Sequence, residues 1–240
     1  MTLIKKFFTM KAKIIPETIA IDGPAAVGKS STGFAVARKL GYQFIDSGAL
    51  YRVVTWACLS RGIDFVDHEK VAGVAESLSI RLTMPTSDET YLNRVLVDEV
   101  DVTDEVYSPE VDSKVALVGE NSLVRKIVNK QLLTMALRGK VVMIGRDIGT
   151  AVLPNAELKV YLEASLEVRA KRRHKDAIKQ GKKISYDEIL TSMKHRDQID
   201  ASRSIAPMMP AEDAIIIDTD NLSFSETVDA IFGYIGGKPE

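Results

Sequence analysis

The chain lacks most of the features that would assign it a class at a glance. Cys58 is its only cysteine in 240 residues, so it can form no internal disulfide and no cysteine-based zinc site, and a reducing cytoplasm is the expected compartment. His68, His174 and His195 are its only histidines; they lie far apart without metal-ligand spacing and read as surface or packing residues. No apolar run approaches the roughly 18 residues needed to span a bilayer, so no membrane segment is expected. The net charge is −1, which leaves out the basic excess of a dedicated nucleic-acid binder. Aromatic residues make up 6% and are not interleaved with the positive charges as stacking on single strands would require. Met1 to Met10 carries two lysines but is followed by neither a long apolar stretch nor a small-residue cleavage site. Residues 1–16 therefore read as an extension, with Met10 as an alternative start.

What is present suits a folded enzyme. Apolar residues at 45% and charged residues at 27% supply a full core for one large α/β domain with inserts. Near the start, the apolar run Ile19-Ala20-Ile21 breaks into Asp22-Gly23-Pro24-Ala25-Ala26-Val27-Gly28-Lys29-Ser30-Ser31. Gly23 and Gly28 bracket four residues and are followed by Lys29 and Ser30, which fills every defined position of G-x-x-x-x-G-K-[ST]. A loop of this length wraps backbone N–H groups around a terminal phosphate, and the helix that follows aims its unsatisfied N-terminal donors at the same point. Lys29 adds charge there, and the Ser30 hydroxyl can bind Mg²⁺.

The periodicity then predicts a helix from Lys29 to Leu40, a strand from Tyr42 to Asp46, and a helix from Ser47 to Arg61 stopped by Gly62. A helix from His68 to Leu78 precedes two short strands, Ser79 to Met84 and Tyr91 to Val97, joined by a Pro85-Thr86-Ser87-Asp88 turn. Ser108-Pro109 opens a helix pair running to Leu137, with Gly139 as the stop. Val141 to Ile144 reads as a central strand buried on both faces and ending in Gly145-Arg146-Asp147, charges that are costly unless paired or functional. Leu158 to Leu162 is a further strand. Ala164 to Lys179 is a helix dense in Arg169, Lys171, Arg172, Arg173, Lys175 and Lys179, and Lys182-Lys183 extend the block. Ser185 with Glu188 caps a helix to about Ile199, Ile215 to Asp218 is the last strand, and Ser223 with Glu226 caps a final helix ending near Gly236-Gly237. Strands alternating with helices around a phosphate loop imply a P-loop, doubly wound, mainly parallel sheet flanked by helices, with a small β insert. Polar groups at the strand ends, Asp46, Ser47, Tyr51 and Arg52 among them, fall on the sheet edge where such folds bind ligands.

A phosphate cradle alone leaves several nucleotide-using classes open. A guanine reader needs Asn-Lys-x-Asp, and the nearest string, Asn129-Lys130-Gln131-Leu132, puts Leu132 where the acceptor belongs. Asp22-Gly23-Pro24 through Ser31, Asp46-Ser47-Gly48-Ala49-Leu50-Tyr51-Arg52, Gly145-Arg146-Asp147-Ile148-Gly149-Thr150 and Arg203-Ser204-Ile205-Ala206-Pro207 together resemble the bacterial cytidylate kinase family, from about Ile19 to the C-terminus. Another small-acceptor P-loop kinase remains an alternative, as does a nucleic-acid-binding ATPase module built on residues 169–183.

The resemblance implies transfer of the γ-phosphoryl group of ATP to CMP or dCMP, with Mg²⁺, in a monomer that binds neither nucleic acid nor membrane. It implies that residues 23–31 hold ATP, that Ser47, Arg52 and Arg203 hold the acceptor phosphate, and that Arg125, Arg146 and Asp147 surround the base or phosphate. It places Arg196 and Asp200 at the ribose hydroxyls, leaves Tyr51 as either packing or ligand, and makes Arg172 and Arg173 lid arginines that act with Lys29 on the transferred charge. The implied division is a core of residues 17–66 and 109–240, a lid within about 165–206, and an inserted acceptor-side subdomain of residues 67–108. The chain departs from the family's pattern at Ala116, where some members carry serine, and at Ile199, where many carry arginine. Asp104-Glu105-Val106-Tyr107 also lacks the arginine usual after the insert's last strand.

Overall fold

The computed structural model describes residues 15–85, 91–179, 181, 183–203 and 205–235. The extension to residue 14, residues 86–90 of the turn after Pro85, Lys182, Ser204 and the terminal Gly236-Gly237 lie outside them.

Five strands form one parallel sheet: β1 (Thr18–Asp22), β2 (Gln43–Asp46), β6 (Val141–Gly145), β7 (Leu158–Glu163) and β8 (Ile215–Asp218), in the order β2-β6-β1-β7-β8. All five residues of β6 are buried, as the unbroken apolar run requires, and successive side chains serve opposite faces. Val142 and Ile144 join Ile19, Ile21 and Phe44 under helices α1 (Lys29–Leu40) and α9 (Phe224–Tyr234). Met143 joins Ala20, Ile45, Leu50 and Val53 under α2 (Ser47–Ser60), α3 (His68–Ser77) and α6 (Ser122–Ala136). The register brings Asp22 level with Gly145, and Asp46 level with Ile144. Three strand ends therefore deliver their polar residues to one edge.

Between α3 and α6 the chain forms an antiparallel sheet of β3 (Ile80–Thr83), β4 (Arg94–Val97) and β5 (Val100–Asp101), followed by α4 (Thr103–Val106) and α5 (Pro109–Glu120). It shares the main core: Leu82, Val95, Val97 and Val106 lie in the same apolar cluster as Leu50 and Met143. Two departures from the sequence pattern have local causes. β4 begins at Arg94 rather than Tyr91, because Asn93, fully buried, donates its Nδ2 to Phe44 O at 2.9 Å and accepts Asp46 N–H at 3.0 Å, closing the free edge of β2. Helix α7 (Leu166–Lys179) begins two residues later than expected, because Ser165 is held by Asp220, with its N–H 2.7 Å from Oδ1, and its own hydroxyl caps Val168 N–H.

Helix α8 (Tyr186–Ser202) begins on the expected capping box and packs on α7 through Ala170, Ala177, Ile189 and Met193. No helix among the described residues is long and apolar enough to cross a membrane.

Candidate active site

The phosphate loop follows from backbone demands. Gly23 has φ +144°, and a Cβ there would sit 2.1 Å from the Leu162 carbonyl oxygen, so no side chain fits without moving β7. Ala26 at φ 58° and Gly28 at φ 104° complete the curl, and no side chain caps α1, which leaves its first N–H groups facing the loop's interior. Val27 faces the core instead. Ser31 donates to Gly28 O at 3.0 Å, and Ser30 stands partly exposed in the first turn. Lys29 is buried and folded back, its Nζ 2.6 Å from Pro24 O. Burial, then the charge of Arg146, hold it well below the ordinary lysine range, while Asp46 and Asp22 pull the other way.

Asp22 is more than the residue before the loop. Its two oxygens accept N–H from Ile148 at 2.8 Å and Gly149 at 2.7 Å, at the start of a π-helical turn, Ile148–Val152. Burial raises its carboxyl to about 6 against those two bonds. The turn carries Arg146 and Asp147 on its approach, so Asp22 fixes them relative to the loop.

Those two charges are paired, which answers the cost of placing them behind a buried strand. Arg125 donates from Nη2 to Asp147 Oδ2 at 2.5 Å and from Nη1 to Gly119 O at 3.2 Å. Arg146 donates from Nε to Asp200 Oδ2 at 3.0 Å and from Nη1 to Gly23 O at 3.2 Å, and Arg203 pairs with the other oxygen of Asp200. Buried Nε atoms of Arg125 and Arg203 have no hydrogen-bond partner. Both arginines line a cavity of about 370 Å³ with Glu120, Ser122, Ile199, Ser202 and Ile205.

At the β2 end, Asp46 caps α2 by accepting Gly48 N–H at 2.9 Å, and burial raises its carboxyl. Ser47 is buried against Gly145, where a Cβ would come 2.6 Å from its Oγ. Tyr51 lies with its ring 5.6 Å from the Arg125 guanidinium, and burial pushes its hydroxyl up to about 12. Arg52, one turn into α2, donates from Nη2 to Asp112 Oδ1 at 2.5 Å. Arg196 reaches solvent from a crowded wall, without a hydrogen-bond or ion-pair partner among the described residues. Desolvation and then the charges of Arg146, Arg52 and Arg173 hold it below the ordinary arginine range, Asp200 opposing them.

Arg169, Arg172 and Arg173 of α7 take different paths. Arg169 turns inward, its Nη1 3.2 Å from Ala25 O of the loop and its Nη2 2.7 Å from Asp197 of α8. Arg172 donates to Thr219, Nη2 to its carbonyl at 2.5 Å and Nη1 to its hydroxyl at 3.1 Å. Arg173 stays exposed, close enough to affect Arg196. Asp22, Asn93, Asp112 and Arg169 are the residues that motif reasoning passed over as parts of the site. Asp22 carried a signal as an acid closing an apolar strand, and Arg169 as one charge of a helix dense in lysine and arginine.

No group of three or more His, Cys, Asp or Glu side chains gathers as a metal cage among the described residues. The hydroxyl of Ser30, partly exposed in the first turn of α1, is a donor of the kind that suits an ion shared with phosphates.

A sequence model of the family described as cytidylate kinase matches residues 19–236. The cytidylate kinase of Bacillus subtilis strain 168 is 42% identical over 221 residues, covering 92% of this chain and 97% of its own. That of Halalkalibacterium halodurans is 43% identical over 217 residues, covering 90% and 96%. Among solved structures, shikimate kinase from Bacteroides thetaiotaomicron aligns over 89% of this chain and 94% of its own, at 16% identity and TM-score 0.44.

Proposed function

The chain belongs to the cytidylate kinase family, and we propose from that premise that it transfers the γ-phosphoryl group of ATP to CMP or dCMP. The observation that carries the reading is Arg146, whose guanidinium donates to Gly23 O on the loop side and to Asp200 on the acceptor side. One side chain thus spans the donor and acceptor halves of the site. In this reading residues 23–31 hold ATP, and the Ser30 hydroxyl would hold Mg²⁺, whose chemistry there would be to neutralise phosphate charge.

The acceptor is a phosphate monoester with a second pKa near 6, already a dianion at neutral pH, so no general base is required. What the protein supplies is alignment and positive charge. Ser47, Arg52 and Arg203 take the acceptor phosphate, for which the planar arginine fork is suited. The Arg125–Asp147 pair offers a donor beside an acceptor, the complement of cytosine's O2 and N3 acceptors and N4 donor. Uracil reverses two of those signs, at about 1.5–3 kcal/mol for each charged hydrogen bond mismatched. Arg196 and Asp200 take the ribose hydroxyls, and Tyr51 covers Arg125. Arg172 and Arg173, with Lys29, act on the transition-state charge when residues 165–206 close and keep water away from ATP. Residues 67–108 serve as the acceptor-side insert, and the protein works as a cytoplasmic monomer without nucleic acid.

The test is a coupled assay with ATP and Mg²⁺ over AMP, GMP, UMP, CMP and dCMP. The reading expects CMP and dCMP to lead; a clear preference for any of the others overturns it.

A further inference from the structure

Arg52 is held from three sides. Its Nη2 meets Asp112 of α5 at 2.5 Å, its Nη1 meets Val106 O at the end of α4 at 3.4 Å, and its guanidinium carbon lies 5.1 Å from the ring centre of Tyr107. Tyr107 is itself stacked on Tyr91, with centroids 4.8 Å apart and planes 13° from parallel. Tyr91 precedes β4 and is hydrogen-bonded through its hydroxyl to Asp104 of α4. A layered stack therefore runs from the β insert, through the joint between α4 and α5, onto a cation of α2.

We infer that Tyr107, backed by Tyr91, is a positioning residue for Arg52, and that the aromatic stack sets how tightly the acceptor's phosphate is held. The inference rests on the CMP kinase reading. An arginine side chain free in water spreads over many rotamers, and binding a phosphate must freeze them; a ring face fixes the guanidinium plane beforehand. Attraction between the cation and the ring's negative face supplies the hold, and it strengthens where water is partly excluded, as it is around the half-buried Tyr107. The ring is the working part. The Tyr107 hydroxyl is kept neutral by burial and by Asp46, so it brings no competing charge. Asp112 anchors one edge of the fork, and the remaining N–H groups stay available to a phosphate oxygen.

The experiment compares Tyr107→Leu, Tyr107→Phe and Tyr91→Leu by steady-state kinetics, with urea unfolding of each variant. Tyr107→Leu is expected to raise KM for CMP about 5- to 30-fold while kcat and KM for ATP stay within about threefold. Tyr107→Phe, which keeps the ring and loses only the hydroxyl, is expected to bring KM back to within about twofold. Tyr91→Leu should give a smaller rise of the same kind. An unchanged KM for CMP in Tyr107→Leu overturns the inference. So does a loss shared between ATP and CMP that tracks the urea midpoint, since that marks a fold defect. If the unmodified protein does not phosphorylate CMP, the functional reading fails first and separately.

Discussion

At the scale of single residues, the site depends on charges held where water cannot help them. Asp22 shows the cost and its use. Its carboxyl is raised from 3.8 to about 6 because burial outweighs two backbone N–H bonds and the pull of Lys29. Between those values the native state keeps a proton that the unfolded chain has released, so this group's contribution to stability falls as pH rises from about 4 to 6. Over the full shift this amounts to about 3 kcal/mol. Urea midpoints measured across that range should therefore show a downward component that Asp22→Asn removes. Below about pH 4, where Asp22 is neutral in both states, the same variant should be about 1–3 kcal/mol less stable, because an amide oxygen can accept from only one of Ile148 and Gly149 while its NH₂ faces the other. A pH profile unchanged by the substitution would assign the slope to another carboxyl, Asp46 foremost.

At the scale of elements, the acceptor side hangs on the edge strand β2, and Asn93 is what completes that edge. It occupies the place of a neighbouring strand, taking Asp46 N–H and giving to Phe44 O, and so fastens the small sheet to the residue that caps α2. Asn93→Ala would leave a buried donor and acceptor unpaired, a loss of about 2–4 kcal/mol. It should also loosen Asp46, Ser47 and Arg52 together, raising KM for CMP while KM for ATP holds. Denaturation and the two KM values check this; equal effects on both substrates would show that the edge does not act locally. Elements of this kind were unevenly legible in the sequence. The capping boxes of α8 and α9 and the Ser108-Pro109 start of α5 were readable because the pairing residues are three apart or adjacent. β5, two residues long, and the π-helical turn after Asp147 carry no periodicity to read. Asn93 looked like a strand residue, because nothing local indicates that its partner lies 49 positions away.

At the scale of the whole molecule, the sheet order explains why the phosphate loop could be read from spacing while its surroundings could not. The loop's geometry is set within a few residues by Gly23, Gly28 and the start of α1. The contacts that make it half of a two-substrate site are long-range: Arg146 to Gly23 spans 123 positions, and Arg169 to Ala25 spans 144. Only the parallel register of β1, β6 and β7 brings them together. The result is a net charge of −1 overall, yet a cleft where burial, and after it the crowding of Lys29, Arg146, Arg196, Arg52 and Arg173, disfavours the charges of Lys29 and Arg196. A bound triphosphate relieves that repulsion, and linkage then fixes the sign of a measurable effect. Free Lys29 loses its proton well below its ordinary value, and phosphate oxygens restore the charged form. ATP binding must therefore take up a proton on the alkaline side of the free protein's Lys29 value, and affinity must weaken as pH rises through it. Calorimetry in buffers of different ionisation heat should detect this uptake in the unmodified protein and lose it in Lys29→Met, which should also lower kcat by about 100- to 1000-fold. Uptake that persisted in Lys29→Met would place the titrating charge elsewhere and leave Lys29 without its assigned part in drawing the two phosphates together.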